Sequence, residues 1–541
     1  MVLNGMRTGN KIEINVISDK LHQNENYEEI VYEYEDALDL TGNSWYNRGL
    51  LTTLSIGLLG MGIDIFGFSV VVTGCSCDFQ LELWQKSIML SMPFVGPIFM
   101  SIPWGYISDT KGRKKTLLIA LWGSFLSSFI SAFSSNWIML AVLKVFSSCF
   151  CSAVQSVAYT LLGESCSRKV RGFYMLIMTS VLMLFLLCYI VPGYFILQQT
   201  FSSNLGLILF TPWRLLTLIM ASPLGISAFL LHFFYESPNF LINAGRESEA
   251  LVYLQKMWFR NGGKGSEYPV RRVILKNEAN VKLVDDNTNL LISFRQQTFP
   301  LFKPPLLWRT LQLFFLTNVI YTINNSLVMW MPHIVEAFTK GVSSEAVSGS
   351  LCNIIMGTAK VKNSTHEEVA CSSSIQSGTL LSGIAHGIVF AGITLAVSKL
   401  ASRKKAIMIG FLLITALSCL GAVFNTNHIG SLILYVGMMM TNLCMGVLFA
   451  YYVELFSTSY RSMASCLGVM VARISGLAGV NFLGVFLMTN CAMTFYAFTA
   501  YLFVGIAVAA YYLPADKPLG IKWKILRIQL KNKVKINSPR N

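Results

Sequence analysis

The chain has 541 residues, of which 54% are hydrophobic and only 13% are charged. Soluble domains carry about 25% charged residues, so this composition excludes an ordinary soluble protein and favours a membrane protein. The net charge of +15 raises the alternative of a nucleic-acid partner. The basic residues, however, lie in loops and a tail outside long apolar stretches, which argues against nucleic acid.

Long stretches without a charged side chain predict the membrane spans. Residues 406–453 and 474–515 contain no Asp, Glu, Lys or Arg. A spanning helix needs about 20 apolar residues, so each stretch accommodates two spans and a turn. The whole chain divides into twelve predicted spans, at 49–73, 86–108, 116–135, 137–162, 172–196, 215–235, 309–331, 377–399, 405–424, 430–455, 462–488 and 491–513. We therefore predict an all-α membrane protein of twelve transmembrane helices.

The loops between these spans differ in charge. We place the N-terminus, the loops that follow the even-numbered spans and the C-terminal tail on one side. That side carries 31 Lys and Arg residues outside the N-terminal tail, and the other side carries five. We call the first side the basic face. The positive-inside rule predicts that the basic face and both termini are cytoplasmic, with the basic tail touching anionic lipid.

A repeat divides the spans into two sets of six. Three pairs of residues recur at one offset of 290 residues: Arg113 and Arg403, Glu164 and Glu454, and Arg171 and Arg461. Repeated halves around a central site are typical of secondary transporters. The predicted domains are an acidic tail (1–47), an N-terminal six-helix half (48–235), a linker (236–308), a C-terminal six-helix half (309–513) with an outside loop (332–376), and a basic tail (514–541).

Several motifs carry a family resemblance. "GYISDTKGRKK", with Gly105, Asp109, Gly112 and Arg113, resembles the signature loop between spans 2 and 3 of the major facilitator superfamily. "ESCSRKVRG" and "YESPNFLINAGR" resemble motifs of its sugar and organic-ion porters. "YEDALDLTG", "GIDIFGFSVV" and "NNSLVMWMPHI" resemble the synaptic vesicle glycoprotein 2 and its related-protein group. The resemblance implies the superfamily's fold of two six-helix halves.

The resemblance also implies a gate at the basic face. Charge-assisted pairs among acidic and basic motif residues would lock adjacent helices in one state and release them in another. The predicted gate residues are Gly105, Asp109, Gly112, Arg113, Glu164 and Arg171, with the repeat positions Arg403, Glu454 and Arg461. In the second half Lys399 stands where an aspartate is expected, so its gate is expected to be weaker.

Three ionisable residues lie well inside spans: Asp64, Lys144 and Arg473. A charge at mid-bilayer costs at least about 2.5–3.5 kcal/mol, so each needs a cavity or a partner. The resemblance implies that spans 1, 4, 7 and 10 line a central cavity. We predict that Asp64 and Lys144 lie at similar depth and face each other. Two roles stay open for them: substrate or proton coupling, and a structural ion pair.

Other polar groups at span depth are candidate substrate contacts, because aromatic walls with a few polar groups suit a small organic solute. They are Gln155, Tyr321, Asn325, Trp330 and Asn442. Trp330 has a second interpretation as an aromatic residue at the membrane interface, since Pro332 follows it. Both interpretations stay open.

The sequence favours a secondary or facilitative transporter that moves a small polar organic solute by alternating access as a monomeric unit, with protons as a candidate coupling ion. The alternative is a non-transporting vesicle-membrane glycoprotein that acts through protein partners. No nucleophile–base motif, metal cluster or phosphate-binding loop predicts an enzyme, a metal or a cofactor. Vesicle and plasma membrane are both compatible with the sequence.

The outside loop contains two further candidates. Cys352 and Cys371 are a candidate disulfide, because an outside face is oxidising. Asn363 begins an Asn-Ser-Thr glycosylation sequon.

We expect a glycan on Asn363, since its loop is predicted to be outside. Asn363→Gln should remove the mobility shift that glycosidase treatment produces in the expressed protein. Asn324→Gln, which removes a sequon at span depth, is the matched control and should change nothing. A shift that persists in Asn363→Gln would contradict the prediction.

Overall fold

The computed structural model of this chain describes residues 31–204, 206, 209–263, 268–274, 298–304, 306–343, 350–355, 375, 377–398, 403–456, 458–487 and 489–514. Contacts divide it into two compact units. Unit 1 comprises Met1–Gln297 and Glu368–Ala391, and unit 2 comprises Thr298–Glu367 and Gly392–Asn541.

Among its described residues, unit 1 contains helices and four short strands. They are β1 (Val31–Glu33), α1 (Tyr34–Leu40), α2 (Trp45–Phe66), α3 (Phe68–Cys75), α4 (Leu83–Lys111), α5 (Arg113–Ser131), α6 (Trp137–Ser165), α7 (Arg168–Leu182), α8 (Phe185–Leu197), β2 (Ser203–Asn204), β3 (Leu209–Phe210), α9 (Pro212–Leu231), α10 (Pro238–Asn243), α11 (Glu247–Arg260) and β4 (Arg272–Ile274).

A 3-10 turn at Phe299–Phe302 leads into the helices of the second predicted half. These are α12 (Leu306–Ser343), α13 (Ser377–Ser398), α14 (Lys404–Phe424), α15 (His428–Met438), α16 (Thr441–Leu455), α17 (Thr458–Phe486) and α18 (Cys491–Tyr512). Most of α13 belongs to unit 1, where a Cβ on Gly387 would lie 2.9 Å from the Cβ of Leu187 in α8.

Within the described residues, eleven helical segments are long and apolar enough to cross a membrane. They correspond to eleven of the twelve predicted spans. The remaining predicted span is the 19-residue helix α5, which begins with Arg113, Lys114 and Lys115. The fold is thus that of an all-α, multi-pass membrane protein.

Polar and apolar side chains are distributed as a lipid solvent requires. Phe99 is 71% exposed, whereas Ser124 and Ser147 are fully buried. Without water, a polar group is satisfied only by the protein, so these hydroxyls lie between helices, whereas an apolar ring such as that of Phe99 can face lipid.

Proline does not end the seventh span. The outside loop was expected to begin at Pro332, but α12 continues through it to Ser343. Ile334, Val335 and Phe338 beyond it are buried. Packing therefore keeps the helix intact where an isolated helix would be broken.

Gly112 makes the tight reversal between α4 and α5. Its φ of 107° lies in a region that favours glycine. A Cβ there would also lie 2.5 Å from Oε2 of Glu236. This motif glycine therefore serves both the turn and the approach of a carboxylate.

The proposed disulfide is wrong in its pairing. Cys352 is bonded to Cys491, the first residue of α18, so it is not available to Cys371, which lies outside the described residues. Cys491 is the first residue of the twelfth predicted span, 491–513. Only the packing of unit 2 brings the residues that follow α12 to the start of α18.

The Cys352–Cys491 bond closes a separation of 139 residues, and loss of a native disulfide costs about 2–5 kcal/mol in small domains. We expect Cys352→Ser, Cys491→Ser and the double variant to lower the thermal midpoint of the purified protein equally, because each removes the same bond. The free, half-buried Cys188, replaced by Ser, is the control and should have a small effect. A double variant much less stable than either single variant would contradict this pairing.

Candidate functional site

A buried ion pair joins the first and fourth spans. Nζ of Lys144 lies 2.6 Å from Oδ1 of Asp64. Both residues are buried, at 5% and 4% exposure. The ammonium also lies 5.2 Å from the ring centre of Phe68, a cation–π contact. The two candidate residues thus lie face to face inside unit 1.

Two serines complete the coordination of the carboxylate. Ser147 donates to Oδ2 of Asp64 at 2.9 Å, and Ser128 donates to Oδ1. Ser124 lies 3.1 Å from the Ser147 hydroxyl. Helices α2, α5 and α6 therefore meet at one carboxylate, and each of its oxygens accepts at least one hydrogen bond.

Sequence reasoning missed these serines. The available signal was their spacing: Ser124 and Ser128 are four residues apart on α5, and Ser147 is three residues after Lys144 on α6. Residues at such intervals share a helix face. Serine is common at helix contacts in membranes, so spacing alone did not single them out.

Two glycines that precede Asp64 on α2, Gly57 and Gly60, lie against α9. A Cβ on Gly57 would lie 2.6 Å from the Ser227 hydroxyl, and one on Gly60 would lie 3.0 Å from the backbone nitrogen of Leu224. Both neighbours are in α9. These two small residues therefore let α2 pack closely on the sixth span.

Gln155 does not join this cluster. It lies on α6, eleven residues from Lys144, which is about 16 Å along a helix. Its side chain is half-buried. Nearby Tyr159 forms a hydrogen bond with Thr179 of α7 at 2.8 Å, so this part of α6 contacts the fifth span.

Unit 2 has its own polar cluster. Asn318 donates to the Ser475 hydroxyl at 2.9 Å and accepts from the hydroxyl of Tyr501. Tyr321 lies one turn further along α12, and Arg473 lies two residues before Ser475 on α17. Arg473 is 7% exposed and Tyr321 is equally buried. The structure thus brings together α12, α17 and α18, with Ser475 and Tyr501 as members that sequence reasoning missed.

The remaining candidates in unit 2 are buried. Trp330 is 1% exposed, and its indole nitrogen donates to the Val480 carbonyl at 3.0 Å. A belt residue would face the interface, so this burial favours packing between α12 and α17. Asn325 and Asn442 are also buried, and Asn324 donates to the Asn325 side chain at 3.4 Å.

At the basic face, Arg113 joins the second, third and fourth spans. It pairs with Asp109 at 3.0 Å and with Glu164 at 3.3 Å, and it donates to the Ser108 carbonyl at 2.7 Å. Glu164 also accepts from the hydroxyl of Ser237. Three of the predicted gate residues, Asp109, Arg113 and Glu164, are therefore linked through the guanidinium group of Arg113.

Glu236, in the motif after the sixth span, binds the start of α5 next to Arg113. Its carboxylate accepts from the backbone amides of Lys114 at 2.8 Å and Lys115 at 3.3 Å. These are amides of the first turn of α5, where a negative charge is stabilising. The glycine at 112 leaves room for this cap.

Arg171 has an unexpected partner. It pairs with Glu35 at 2.8 Å, a residue of the N-terminal tail, while Glu164 pairs with Arg113. Gly105 lies within α4, and Arg403 is an exposed residue just before α14. The side chains of Glu454 and Arg461, like Asn363, lie outside the described part of the chain.

Comparison with known proteins gives three kinds of match. A family model described as Major Facilitator Superfamily matches residues 53–361. The Synaptic vesicle 2-related protein of Rattus norvegicus is 24% identical over 283 residues, covering 52% of this chain and 46% of that protein. Organic cation/carnitine transporter 7 of Arabidopsis thaliana is 24% identical over 225 residues, covering 41% of this chain and 42% of that protein. The chain therefore matches less than half the length of these relatives.

A solved structure shows the fold. The xylose transporter XylE from E. coli, in a partially occluded inward-open conformation, has a TM-score of 0.59 and 15% identity, covering 87% of this chain and 99% of that chain. The same protein is a proton:xylose symporter. At this identity the likeness concerns the fold.

Burial of the Asp64–Lys144 pair predicts how substitutions at these two residues change the stability of the protein. Removing one partner of a buried ion pair costs about 3–5 kcal/mol, because the other charge is left unpaired, whereas removing both costs less. We expect Asp64→Asn and Lys144→Met each to lower the thermal midpoint strongly, and the double variant to recover part of the loss.

The control is Asp109→Asn, which breaks a pair whose carboxylate is 61% exposed and should cost about 0–1 kcal/mol. Additive losses in the double variant would show that Asp64 and Lys144 are not coupled.

Proposed function

The chain belongs to the Major Facilitator Superfamily, and from this membership we propose that it is a secondary transporter of a small polar organic solute. The two repeated halves, near 48–235 and 309–513, would rock about a central site in alternating access. The basic face would be cytoplasmic, with both termini on that side. A relative that carries organic cations or carnitine and a proton:xylose symporter of the same fold support a small solute as substrate.

The observation that carries the proposal is the buried pair of Asp64 and Lys144. A membrane-embedded ion pair is expensive, and a neutral pair of hydrogen-bonding residues would hold the helices at lower cost. A carboxylate, unlike an amide, can also bind a proton. Its presence at this depth therefore supports a role beyond packing.

The proposed coupling follows from charge. Proton binding to Asp64 neutralises the carboxylate, which weakens its attraction for Lys144 and leaves the hydroxyls of Ser128 and Ser147 free to exchange partners. Loss of the proton restores the pair. Each cycle would thus couple one proton to a change in how α2 is held against α5 and α6.

In unit 2, the cluster of Asn318, Tyr321, Arg473, Ser475 and Tyr501 supports solute binding. It offers amide, hydroxyl and guanidinium groups beside aromatic rings, which is the usual composition of a small-molecule site. Asn325 and Asn442 add amides on α12 and α16. We propose that Trp330 forms one wall of this site and holds α12 in position, since its indole nitrogen already donates to the Val480 carbonyl.

The test is uptake of a metabolite mixture into proteoliposomes with and without an inward proton gradient. We expect the gradient to drive accumulation of at least one small polar solute in the wild type. The double variant Asp64→Asn/Lys144→Met should lose the stimulation by the gradient, because no titratable group remains at the pair. Glu82→Gln, which neutralises an exposed acid at the N-cap of α4 and keeps an acceptor oxygen there, is the control and should keep it.

Two outcomes would contradict parts of the proposal. A double variant with normal uptake and normal pH dependence would leave the pair a purely structural role. Failure of every solute to enter with the wild type would overturn the transporter itself and favour a non-transporting membrane protein.

A further inference from the structure

Residues 31–44 of the N-terminal tail form an ordered element at the basic face of unit 1. We call residues 31–44 the tail segment. Its strand β1 pairs in parallel with β4 of the linker, with Val31 opposite Arg272 and Glu33 opposite Ile274. Ala37 and Leu38 of α1 are fully buried. The segment is therefore packed into unit 1 although its sequence is polar and acidic.

Ionic contacts hold the segment to the loop between the fourth and fifth spans. Glu33 pairs with Arg168 at 3.2 Å. Glu35 pairs with Arg168 at 3.4 Å and with Arg171 at 2.8 Å. The carboxylate side chains are 15% and 22% exposed, so these pairs are better shielded from water than ordinary surface pairs.

Tyr34, between the two glutamates, contacts the gate directly. Its hydroxyl donates to the backbone carbonyl of Glu164 at 2.5 Å. Burial, followed by the charges of Glu164 and Glu35, raises the pKa of this hydroxyl well above its ordinary value. The tyrosine therefore stays a neutral donor at any physiological pH.

The linker contacts the rest of the segment through Asn261 and Tyr268, which we call the receiving surface. Asn261 at the end of α11 accepts from the backbone amides of Ser44 at 3.1 Å and Tyr46 at 3.2 Å. It also donates to the Thr41 carbonyl at 3.1 Å. Tyr268 donates to the Ala37 carbonyl. One asparagine thus fixes the turn between the tail segment and the first span.

The helix that carries Asn261 is itself anchored. Tyr46 of α2 stacks on Tyr235 at 5.6 Å, and Tyr235 stacks on Tyr253 of α11 at 5.4 Å. Arg260 lies 4.8 Å from the ring centre of Tyr235. The receiving surface therefore has contacts of its own and does not depend on the glutamates of the tail segment.

We propose that this surface is an intramolecular docking site for an acidic segment and that the tail segment acts on it as a releasable ionic clasp. Docked, the clasp binds Arg171 through Glu35 and fixes the backbone of Glu164 through Tyr34. Released, it leaves Arg171 free to pair with other carboxylates of the gate. Its effect on transport rests on the proposed function, but docking itself does not.

The clasp responds to charge. The ion pairs of the clasp are partly exposed to water, since the side chain of Arg168 is 52% exposed. Salt therefore weakens these ion pairs. Neutralising the two glutamates removes the ionic contacts and keeps β1, Tyr34 and the apolar residues of α1. This separates release of the clasp from unfolding of the protein.

The experiment is hydrogen–deuterium exchange of the full-length protein, followed in peptides that cover residues 31–41. We expect Glu33→Gln/Glu35→Gln to raise the exchange rate of these amides about tenfold, as the loss of several partly shielded pairs predicts. Raising the salt concentration should also raise the exchange rate of these amides in the wild type. It should have little effect on that rate in the variant, which has already lost the ion pairs.

Controls separate the clasp from general damage. Glu249→Gln removes an exposed pair with Arg246 in the same linker and should leave exchange in residues 31–41 unchanged. Peptides from α14 report on the fold and should be unchanged in every variant. If Glu33→Gln/Glu35→Gln damages the fold, Arg168→Gln tests two of the three ion pairs from the other side.

Unchanged exchange in both variants would overturn the clasp. Fast exchange of residues 31–41 in the purified wild type would show that the tail segment is not docked, and this too would overturn the assignment. Neither result depends on uptake. A protein that transports nothing but shows the expected exchange would contradict the proposed function and leave the clasp in place.

Discussion

A buried carboxylate in a medium without water must have its charge balanced and its oxygens bonded, and much of unit 1 is arranged around this constraint at Asp64. Lys144 supplies the opposite charge from α6, and Ser128 and Ser147 supply hydroxyls from α5 and α6. An unpaired charge at this depth would cost at least about 2.5–3.5 kcal/mol. The positions of three helices therefore depend on how the charge and the oxygens of one carboxylate are satisfied.

Close helix approach makes such a compact site possible. Gly57 and Gly60 bring α2 against α9, and in unit 2 a Cβ on Gly479 would lie 2.5 Å from the Thr322 carbonyl. Dispersion and hydrogen bonds drive helix association in lipid, so small residues matter more here than large apolar ones. Large apolar side chains such as Phe99 can then face the lipid.

The basic face combines motif residues with parts of the chain that no motif describes. Arg113 and Glu236 organise the turn at Gly112 through direct bonds. The tail segment and the linker add Glu35, Tyr34 and Asn261 around the same helix ends. Opening or closing this face would therefore involve the tail and the linker as well as the spans.

The sequence by itself determined what depends on local chemistry. Uninterrupted apolar runs established the spans, because lipid admits only helices whose backbone is internally bonded. The cost of burying charge singled out Asp64, Lys144 and Arg473, and motif charges identified Arg113 and Glu164. What only the tertiary structure decided are the contacts between distant segments. Cys352 binds Cys491 rather than Cys371, and Arg171 binds Glu35 of the tail. Such pairings depend on which helices become neighbours, and a thiol or a carboxylate has no local pattern that records its partner.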